Sequence, residues 1–517
     1  MCHAHHIIFH AKVTKSLFKK NLNRKYKAIK NPLYLGYKNR RMIKQVLSIT
    51  LILVAFAFQA QVTQTVRGNI YDQETQSALP GASIAIFENG EVLKATSSDS
   101  DGKFKIENIL VGRKQIVVRF FGYNDFSQTI VLTSAKELII NVSLEESIAS
   151  LEAVEIVSNE EGEVNNEHAI VSVRQFSVEE TDRYAGSRGD PARMASNYAG
   201  VQGTDDNRND IVVRGNSPLG VLWRLEGIDI PNPSHFAVAG TSGGAISIIN
   251  NKVLANSDFF TGAFPAEYGN SLSGVFDLKL RNGNNQKHEY TAQLGLFGAE
   301  LSGEGPLSKK SGASYLFVYK YSTFSMFQTL GVDLGTDAIP KFQDMTFKMN
   351  FPQKNGGNLS VFGIGGFSKI DILISEQKDT TPIEQQGQND RDQLFRTSMG
   401  VVGASYSKSI NDKSYFKSVL AFSHDNQNST HNYVDRYLDG ANFIVDSMYR
   451  VLRYDFNQSK LSNHTFINTK LNTKNVIKFG LTSNYTLFNF VDSAYIRSLE
   501  EWKTRWDYKG GALLLQP

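Results

Sequence analysis

From His288 to Pro517, apolar and polar residues alternate in segments of about ten residues with aromatic side chains at their edges. Between Val476 and Asn489, Ile477, Phe479, Leu481, Tyr485 and Leu487 fall on one face of an extended chain, and Lys478, Gly480, Thr482, Asn484 and Thr486 fall on the other. Tyr290, Ala292, Leu294 and Leu296 against Thr291, Gln293 and Gly295 repeat the pattern. A membrane β-barrel, with lipid outside and a polar lumen, requires this alternation, although a soluble sheet with one buried face alternates as well. The connections choose between the two. Residues 308–312, 352–357, 410–413 and 472–474 read as short turns, whereas 323–339, 369–393, 431–454 and 493–509 read as long loops. Short and long take turns along the chain, as periplasmic turns and extracellular loops do. With a tight first hairpin near Gly298, residues 288–517 hold about ten strands.

Upstream the pattern shortens. Residues 64–145 carry seven short alternating runs, at 66–71, 82–87, 92–97, 103–106, 115–120, 127–132 and 138–144, which predict a β-sandwich. Asp99-Ser100-Asp101-Gly102 between two of them predicts a hairpin turn, because a calcium loop would need a carboxylate where Asn108 stands. Residues 211–283 are rich in glycine, and Gly215, Gly220, Gly227, Gly240, Gly243 and Gly244 punctuate strands at 211–213, 221–225 and 275–280. Two short helical pieces precede them, one from Phe176 through Tyr184 and one over 191–195 with Asp190 as N-cap and Pro191 in the first helical position. Residues 145–167 are acidic and aperiodic except for Leu151-Glu152-Ala153-Val154-Glu155-Ile156-Val157. Met42-Ile43-Lys44 and the apolar run 46–58 have the form of a signal peptide over 42–60, too short to span a bilayer, and residues 1–41 read as an over-extended leader.

Arg214-Gly215, Leu225-Glu226-Gly227-Ile228 and Phe264-Pro265-Ala266-Glu267-Tyr268-Gly269-Asn270-Ser271-Leu272-Ser273-Gly274, followed by barrel-like strands, resemble the plug domain of TonB-dependent outer-membrane receptors. That family usually has Asp-Gly where this chain has Glu226-Gly227. Val66-Arg67-Gly68-Asn69-Ile70-Tyr71-Asp72, Leu79-Pro80-Gly81-Ala82, Asp99 to Phe104 and Phe121-Gly122-Tyr123 resemble the carboxypeptidase regulatory-like domain that often heads such receptors and is not catalytic there. Residues 151–157 resemble the TonB box, a segment that leaves its own domain and adds as a strand to a periplasmic partner; a linker or the first strand of the plug is the other reading. The resemblance implies a mostly β chain: a carboxypeptidase regulatory-like sandwich over 64–145, a linker over 146–167, a small α+β plug over 168–283, and the first part of a transmembrane antiparallel β-barrel over 288–517. Plugged transporters have roughly 22 strands, so the chain looks truncated at Pro517.

The resemblance further implies energised uptake across the outer membrane, with the periplasmic TonB protein, outer-membrane lipid and an extracellular ligand of unknown identity as partners. Arg214, Gly215, Glu226, Gly227, Pro265, Glu267, Tyr268, Gly269 and Gly274 are the plug-motif residues. Asp205, Asp206, Asn232, Ser234, His235 and Phe236 are the candidate ligand contacts at the plug apex. Two other functions compete: a sensor that signals through its periplasmic sandwich, and a secreted hydrolase with a sandwich accessory domain.

Composition trims these alternatives. The formal charge of +4 comes from the leader, since residues 1–41 hold eleven Lys and Arg and no Asp or Glu; the remainder sets 44 basic against 51 acidic side chains. Nucleic acid is therefore not an expected partner. Cys2 is the single cysteine, and with His3, His5, His6 and His10 it lacks the spacing of a metal site. Gly240-Thr241-Ser242-Gly243-Gly244 matches the G-x-S-x-G nucleophile elbow, but neither the strand before nor the helix after it is present, which leaves the hydrolase without a catalytic group. Asp205, Asp206 and Asp210 read as a solvated turn. No catalytic residue, metal or cofactor is assigned.

Overall fold

Two facing sheets form the first folded part of the chain. Their strands are β1 (Thr63–Asp72), β2 (Ser83–Glu88), β3 (Glu91–Ser97), β4 (Lys103–Leu110), β5 (Gly112–Arg119), β6 (Phe126–Leu132), β7 (Leu138–Ile139) and β8 (Val142–Leu144). One sheet runs β3-β2-β5-β6; in the other, β1 pairs antiparallel with β4 and parallel with β7 and β8. Alternate residues Ile84, Ile86, Phe104, Ile106, Ile116 and Val118 point between the sheets and are buried. Burying each stabilises the fold by about 1.5–3 kcal/mol before entropy is counted. Two expectations change. Asp99 to Gly102 turns the chain tightly, with Asp99 accepting from Asp101 N and Lys103 N, yet β3 and β4 lie in different sheets, so the turn arches between layers and makes no hairpin. The run 138–144 is two strands: a side chain at Gly68 would collide with Ile140 O, and that close approach breaks the strand.

The computed structural model describes residues 63–517 apart from 135, 148–171, 177–180, 182, 183, 185, 296, 297, 324–339, 378–387, 473 and 497. The signal-peptide segment, residues 151–157 and most of the first helical piece lie outside the described residues. Phe176, expected to open that piece, instead ends a strand. No helix among the described residues is long and apolar enough to cross a membrane.

The glycine-rich region is a small α+β unit. Its elements are β9 (Val173–Phe176), α1 (Pro191–Ala195), β10 (Val201–Gly203), β11 (Ile211–Val213), β12 (Val221–Leu225), β13 (Ile228–Asp229), β14 (Ser234–His235), β15 (Ile246–Ser247), β16 (Ser257–Phe260) and β17 (Gly274–Leu278). A mixed sheet in the order β13-β12-β17-β16-β9 carries the core. Trp223 stacks on Phe276 at 4.3 Å, and Phe259 and Phe176 pack against the same ring. Helix α1 begins as its sequence predicts: Asp190 Oδ1 accepts from Ala192 N at 2.8 Å, and Pro191 occupies a position whose N–H would have no helical partner.

Ten strands follow in one antiparallel sheet whose spatial order is its chain order. They are β18 (Glu289–Leu294), β19 (Ala299–Ser308), β20 (Ala313–Tyr321), β21 (Lys341–Pro352), β22 (Gly357–Ile372), β23 (Arg391–Asn411), β24 (Ser414–Asp439), β25 (Asn442–Asn472), β26 (Asn475–Ile496) and β27 (Glu501–Gln516). Strands β18 and β27 are its two edges and, among the described residues, do not pair with each other. Ile477, Phe479, Leu481, Tyr485 and Leu487 are exposed on the outer face together with Leu420, Phe422, Leu461 and Leu513. The inner face wraps the plug. There Leu316, Val318, Phe362, Ile364, Val401, Val419 and Ala421 join the plug's own core, so an apolar patch stands among the polar residues, such as Asp344, Lys348 and Ser368, expected on the lumen side. Three of the four short turns stand as expected, and the fourth, 472–474, includes residue 473, which lies outside the described residues. Two of the long loops differ from expectation: 431–454 and 493–509 are mostly strand, because β24 and β25 stay paired up to a two-residue turn at Gly440-Ala441.

Candidate functional site

The candidate site is the contact between plug and wall, where nearly every plug-motif residue has a structural task. Glu226-Gly227 is the two-residue loop between β12 and β13, with Leu225 opposite Ile228 and φ of 54° and 100° at the two loop residues. A tight hairpin turn of this kind needs positive φ at both positions, which Asp-Gly supplies most easily. Glutamate bears more strain in that conformation, and its carboxylate offsets the cost. Glu226 Oε1 accepts from Lys348 Nζ on β21 at 2.9 Å and from Leu280 N at 2.8 Å, and Lys348 also donates to Leu280 O at 2.7 Å. Burial pushes the Glu226 carboxyl up, but the Lys348 and Lys417 charges and the two hydrogen bonds outweigh it and hold it below the usual glutamate range.

Beside this turn lies a second buried cluster. Arg224 on β12 donates to Gly227 O at 2.9 Å, lies 3.2 Å from His464 Nε2 on β25 and sits over the Tyr268 ring at 4.8 Å. Because a guanidinium only donates, His464 Nε2 is the acceptor and Nδ1 carries the proton toward Thr482 Oγ1, 2.8 Å away. Glu267 receives Lys478 of β26 at 2.7 Å and lies 3.7 Å from Arg224. Tyr268 OH donates to Asp277 at 2.8 Å, Tyr268 N closes a turn on Pro265 O, and Gly269 faces Gln516 of β27. Gly274 opens β17 so close to Val213 and Phe260 O that a side chain there would be crowded.

Arg214 and Gly215 form another positive-φ pair, at 51° and 78°. This turn is remote from the wall cluster and serves the start of the plug. Arg214 donates to Ser172 Oγ at 2.7 Å and to Thr261 Oγ1 at 3.2 Å, while Thr261 N bonds Ser172 O at 2.8 Å. The guanidinium thus straps the chain down where the plug begins, directly after 148–171.

The candidate ligand contacts separate. Asp205 and Asp206 are exposed, and Asp205 caps its own turn through Asn207 N. Ser234, His235 and Phe236 are buried against the wall. His235 Nε2 lies 3.0 Å from Asp344 Oδ2 of β21, and Phe236 N donates to Ser368 Oγ of β22. Burial lowers the His235 proton affinity against the pull of Asp344, and Nδ1 has no partner. The contact is therefore a neutral imidazole N–H on a carboxylate. These three residues face protein, which departs from the expectation that they stand at an open apex. Asn232 is half-buried, its amide donating to Thr241 O and Gly243 O.

The polar loop 204–210 is organised from within. Asp210 accepts from Ser242 N and Gly243 N at 3.1 and 2.7 Å, and from Arg208 Nε at 2.7 Å, so the Gly240 to Gly244 stretch is a loop laid over a carboxylate. Ser242 is buried, and its carbonyl accepts from Trp223 Nε1. No group of three or more His, Cys, Asp and Glu able to hold a metal occurs among the described residues.

Sequence reasoning missed how the sandwich meets the rest. Lys470, beside the short turn between β25 and β26, reaches Asp72, Glu74 and Glu146 at 3.5, 3.3 and 2.5 Å. Ser409 Oγ donates to Thr75 O at 2.7 Å, and Asn468 donates to Glu74 O at 3.1 Å. Arg67 bonds Asn284 and Asn285, where the plug hands over to β18, and Lys136 meets Glu304, which also holds Arg281. The sandwich is docked under the short-turn end of the wall.

Residues 66–156 match the model of the CarboxypepD_reg-like domain family. No curated protein matches the chain. Among solved structures, the ferric-catecholate import receptor Fiu of E. coli K12 is similar at 11% identity over 63% of this chain and 50% of that one, with a TM-score of 0.39. FpvA of P. aeruginosa is similar at 11% identity over 66% and 47%, with a TM-score of 0.43. The pilus 2b backbone protein of group B streptococcus aligns with 16% of this chain and 42% of its own at 16% identity, with a TM-score of 0.15. The chain spans about half the length of the two receptors.

Proposed function

We propose that the chain belongs to a TonB-dependent outer-membrane receptor that takes up an extracellular ligand under energy supplied from the periplasm. The observation that carries this reading is a wall with an apolar outer face whose inner face is filled by a plug held through a buried ion pair and a half-buried one. An outer face of that kind suits lipid, where only a fully paired sheet is tolerated. A filled lumen offers no open path, so passage requires the plug to move. Residues 151–157 supply the candidate handle, and the Arg214 strap lies where a pull on them would arrive. Uptake by cells carrying the complete gene tests the reading. It should need both the TonB system and an intact 151–157, and Val154→Pro should abolish it while ligand binding at the surface persists. Unchanged uptake in that variant would reduce the segment to a linker.

One observation favours a sensor role alongside transport. Arg67 of the sandwich grips Asn284 and Asn285 at the plug's exit, so a shift of the plug is passed to the sandwich. A pull-down with the sandwich as bait, in cells with and without ligand uptake, separates the two roles.

A further inference from the structure

The plug and the wall share one apolar core, in which Trp223 and Ile248 join Val318 and Val401. The sandwich takes no part in it. Among the described residues, its own buried cluster around Ile84, Phe104 and Ile116 contains nothing from the plug or the wall, and the bonds that dock it are polar. They fall into two groups. On one side Arg67 donates to Asn284 and Asn285 at the plug's exit, and Lys136 meets Glu304 of β19 at 2.9 Å. On the other, Thr75 O accepts from Ser409 of β23, Glu74 O accepts from Asn468 of β25, and Lys470 of β25 faces Asp72, Glu74 and Glu146. Strands β19 and β25 are six steps apart in the sheet, about 29 Å of wall at ~4.8 Å per step. A domain fastened to both spans the arc between them, and the plug fills the inside of that arc. The sandwich thus crosses the short-turn mouth beneath the plug.

The nature of the fastening decides which part can leave. A shared apolar core holds plug and wall as one body, whereas a polar interface between domains permits relative motion. The Lys470 contact is also where the chain departs toward 151–157. Asn124 N donates to Glu145 O at 2.8 Å and Ser147 N to Gly122 O at 2.7 Å, and Glu146 between them reaches Lys470. Tyr123 OH, from the same loop, donates to Asp72 Oδ2 at 2.8 Å. A pull on 151–157 therefore loads Glu146 and its bond to Lys470 ahead of every other fastening of the sandwich.

We propose that the sandwich is a detachable lid on the periplasmic mouth, opened when a pull on 151–157 draws Glu146 away from Lys470. Docked, it lies across the way of anything that passes the plug. Released, it stays tied to the plug by the chain between Ser147 and Ser172, and Asp72 and Glu74 keep the negative charge that draws it back to Lys470. This inference rests on the transport reading and adds a second gate to it.

The test follows a thiol placed under the sandwich by Ser409→Cys, with N-ethylmaleimide as the probe and mass spectrometry of the modified peptide as the readout. Ile410→Cys, 55% exposed at the adjoining turn, is the control. In the purified full-length protein, modification at 409 is expected to run about tenfold faster in 1 M than in 0.1 M salt, where the Debye length falls from about 10 to about 3 Å, with little change at 410. Lys470→Ala should give the fast rate at both concentrations. In cells, modification at 409 should be faster in a host with the TonB system than in one without it, and Val154→Pro should remove the difference. The lid is overturned if 409 reacts as readily as 410 throughout, if neither salt nor Lys470→Ala speeds it, or if its rate is indifferent to the TonB system. Uptake that still needs the TonB system would then leave the transport reading standing. Uptake that does not need it sinks that reading and the lid together.

Discussion

Glu226 on the plug and Lys348 on the wall are joined at 2.9 Å with 6% and 8% of their surfaces exposed, and the same carboxylate also holds Leu280 N. One side chain therefore binds a strained turn, the plug's last strand and the wall. Removing one member of a buried pair leaves the other charge unsolvated, which costs about 3–5 kcal/mol. Glu226→Ala is expected to lower the unfolding free energy of the plug by that order, read by denaturant titration, whereas Glu226→Gln, which keeps an acceptor for Leu280 N, should lose less. Equal loss in both variants would show that the charge is not what matters.

Acid should release the plug in two stages. The folded Glu226 and His235 both hold protons less readily than their free forms. Each thus contributes stability that is complete above its unfolded pKa and is lost as pH falls toward the lower folded value. The His235 stage begins below about 6.5 and the Glu226 stage below about 4.3. Protease resistance of the plug, followed from pH 8 downward, should show the first stage disappear in His235→Gln and the second in Glu226→Gln.

The Arg214 strap predicts a local effect. Arg214→Ala removes the donors to Ser172 and Thr261 and leaves the backbone bonds between β9 and β16 and the Thr261 Oγ1 bond to Ser172 O in place. Amide exchange over 173–176 is expected to speed up with little change in the wall strands. Unaltered exchange there would mean that the guanidinium is not a fastening.

Docking of the sandwich can be trapped covalently. Ser409 Oγ and Thr75 O are 2.7 Å apart, so cysteines at 409 and at the partly exposed Gln76 beside Thr75 are expected to be joined by a short bis-maleimide. Lys470→Ala, by removing the cation shared among Asp72, Glu74 and Glu146, should reduce the yield. A yield independent of Lys470 would mean that the polar bonds alone hold the dock.

How much could be read from residues alone follows from what each pattern reports. Alternation reports which side of a strand faces lipid, and Ile477, Phe479 and Leu481 stand outside as read. It is silent on what fills the other side, so the apolar lumen at Val401, Val419 and Ala421 was missed; those positions face the plug's core in place of water. Asp439-Gly440 is a tight-turn signal, but the apolar residues beside it, Tyr437-Leu438 and Phe443-Ile444-Val445, are consecutive and do not alternate, which hid the hairpin inside what looked like a loop. The Asp190 cap was legible since capping is local. His235 was legible as unusual and not as buried, because Asp344 is 109 residues away.

The paired arms of β24 and β25 continue past Phe422 on the outer face for seventeen residues to Asp439. At about 3.3 Å per residue this is some 55 Å of hydrogen-bonded ribbon. A tether of equal length would wander, whereas a ribbon keeps its direction. In the receptor proposed above, the tip at Gly440 is a stiff mast that anything arriving from outside would meet before it reached the membrane.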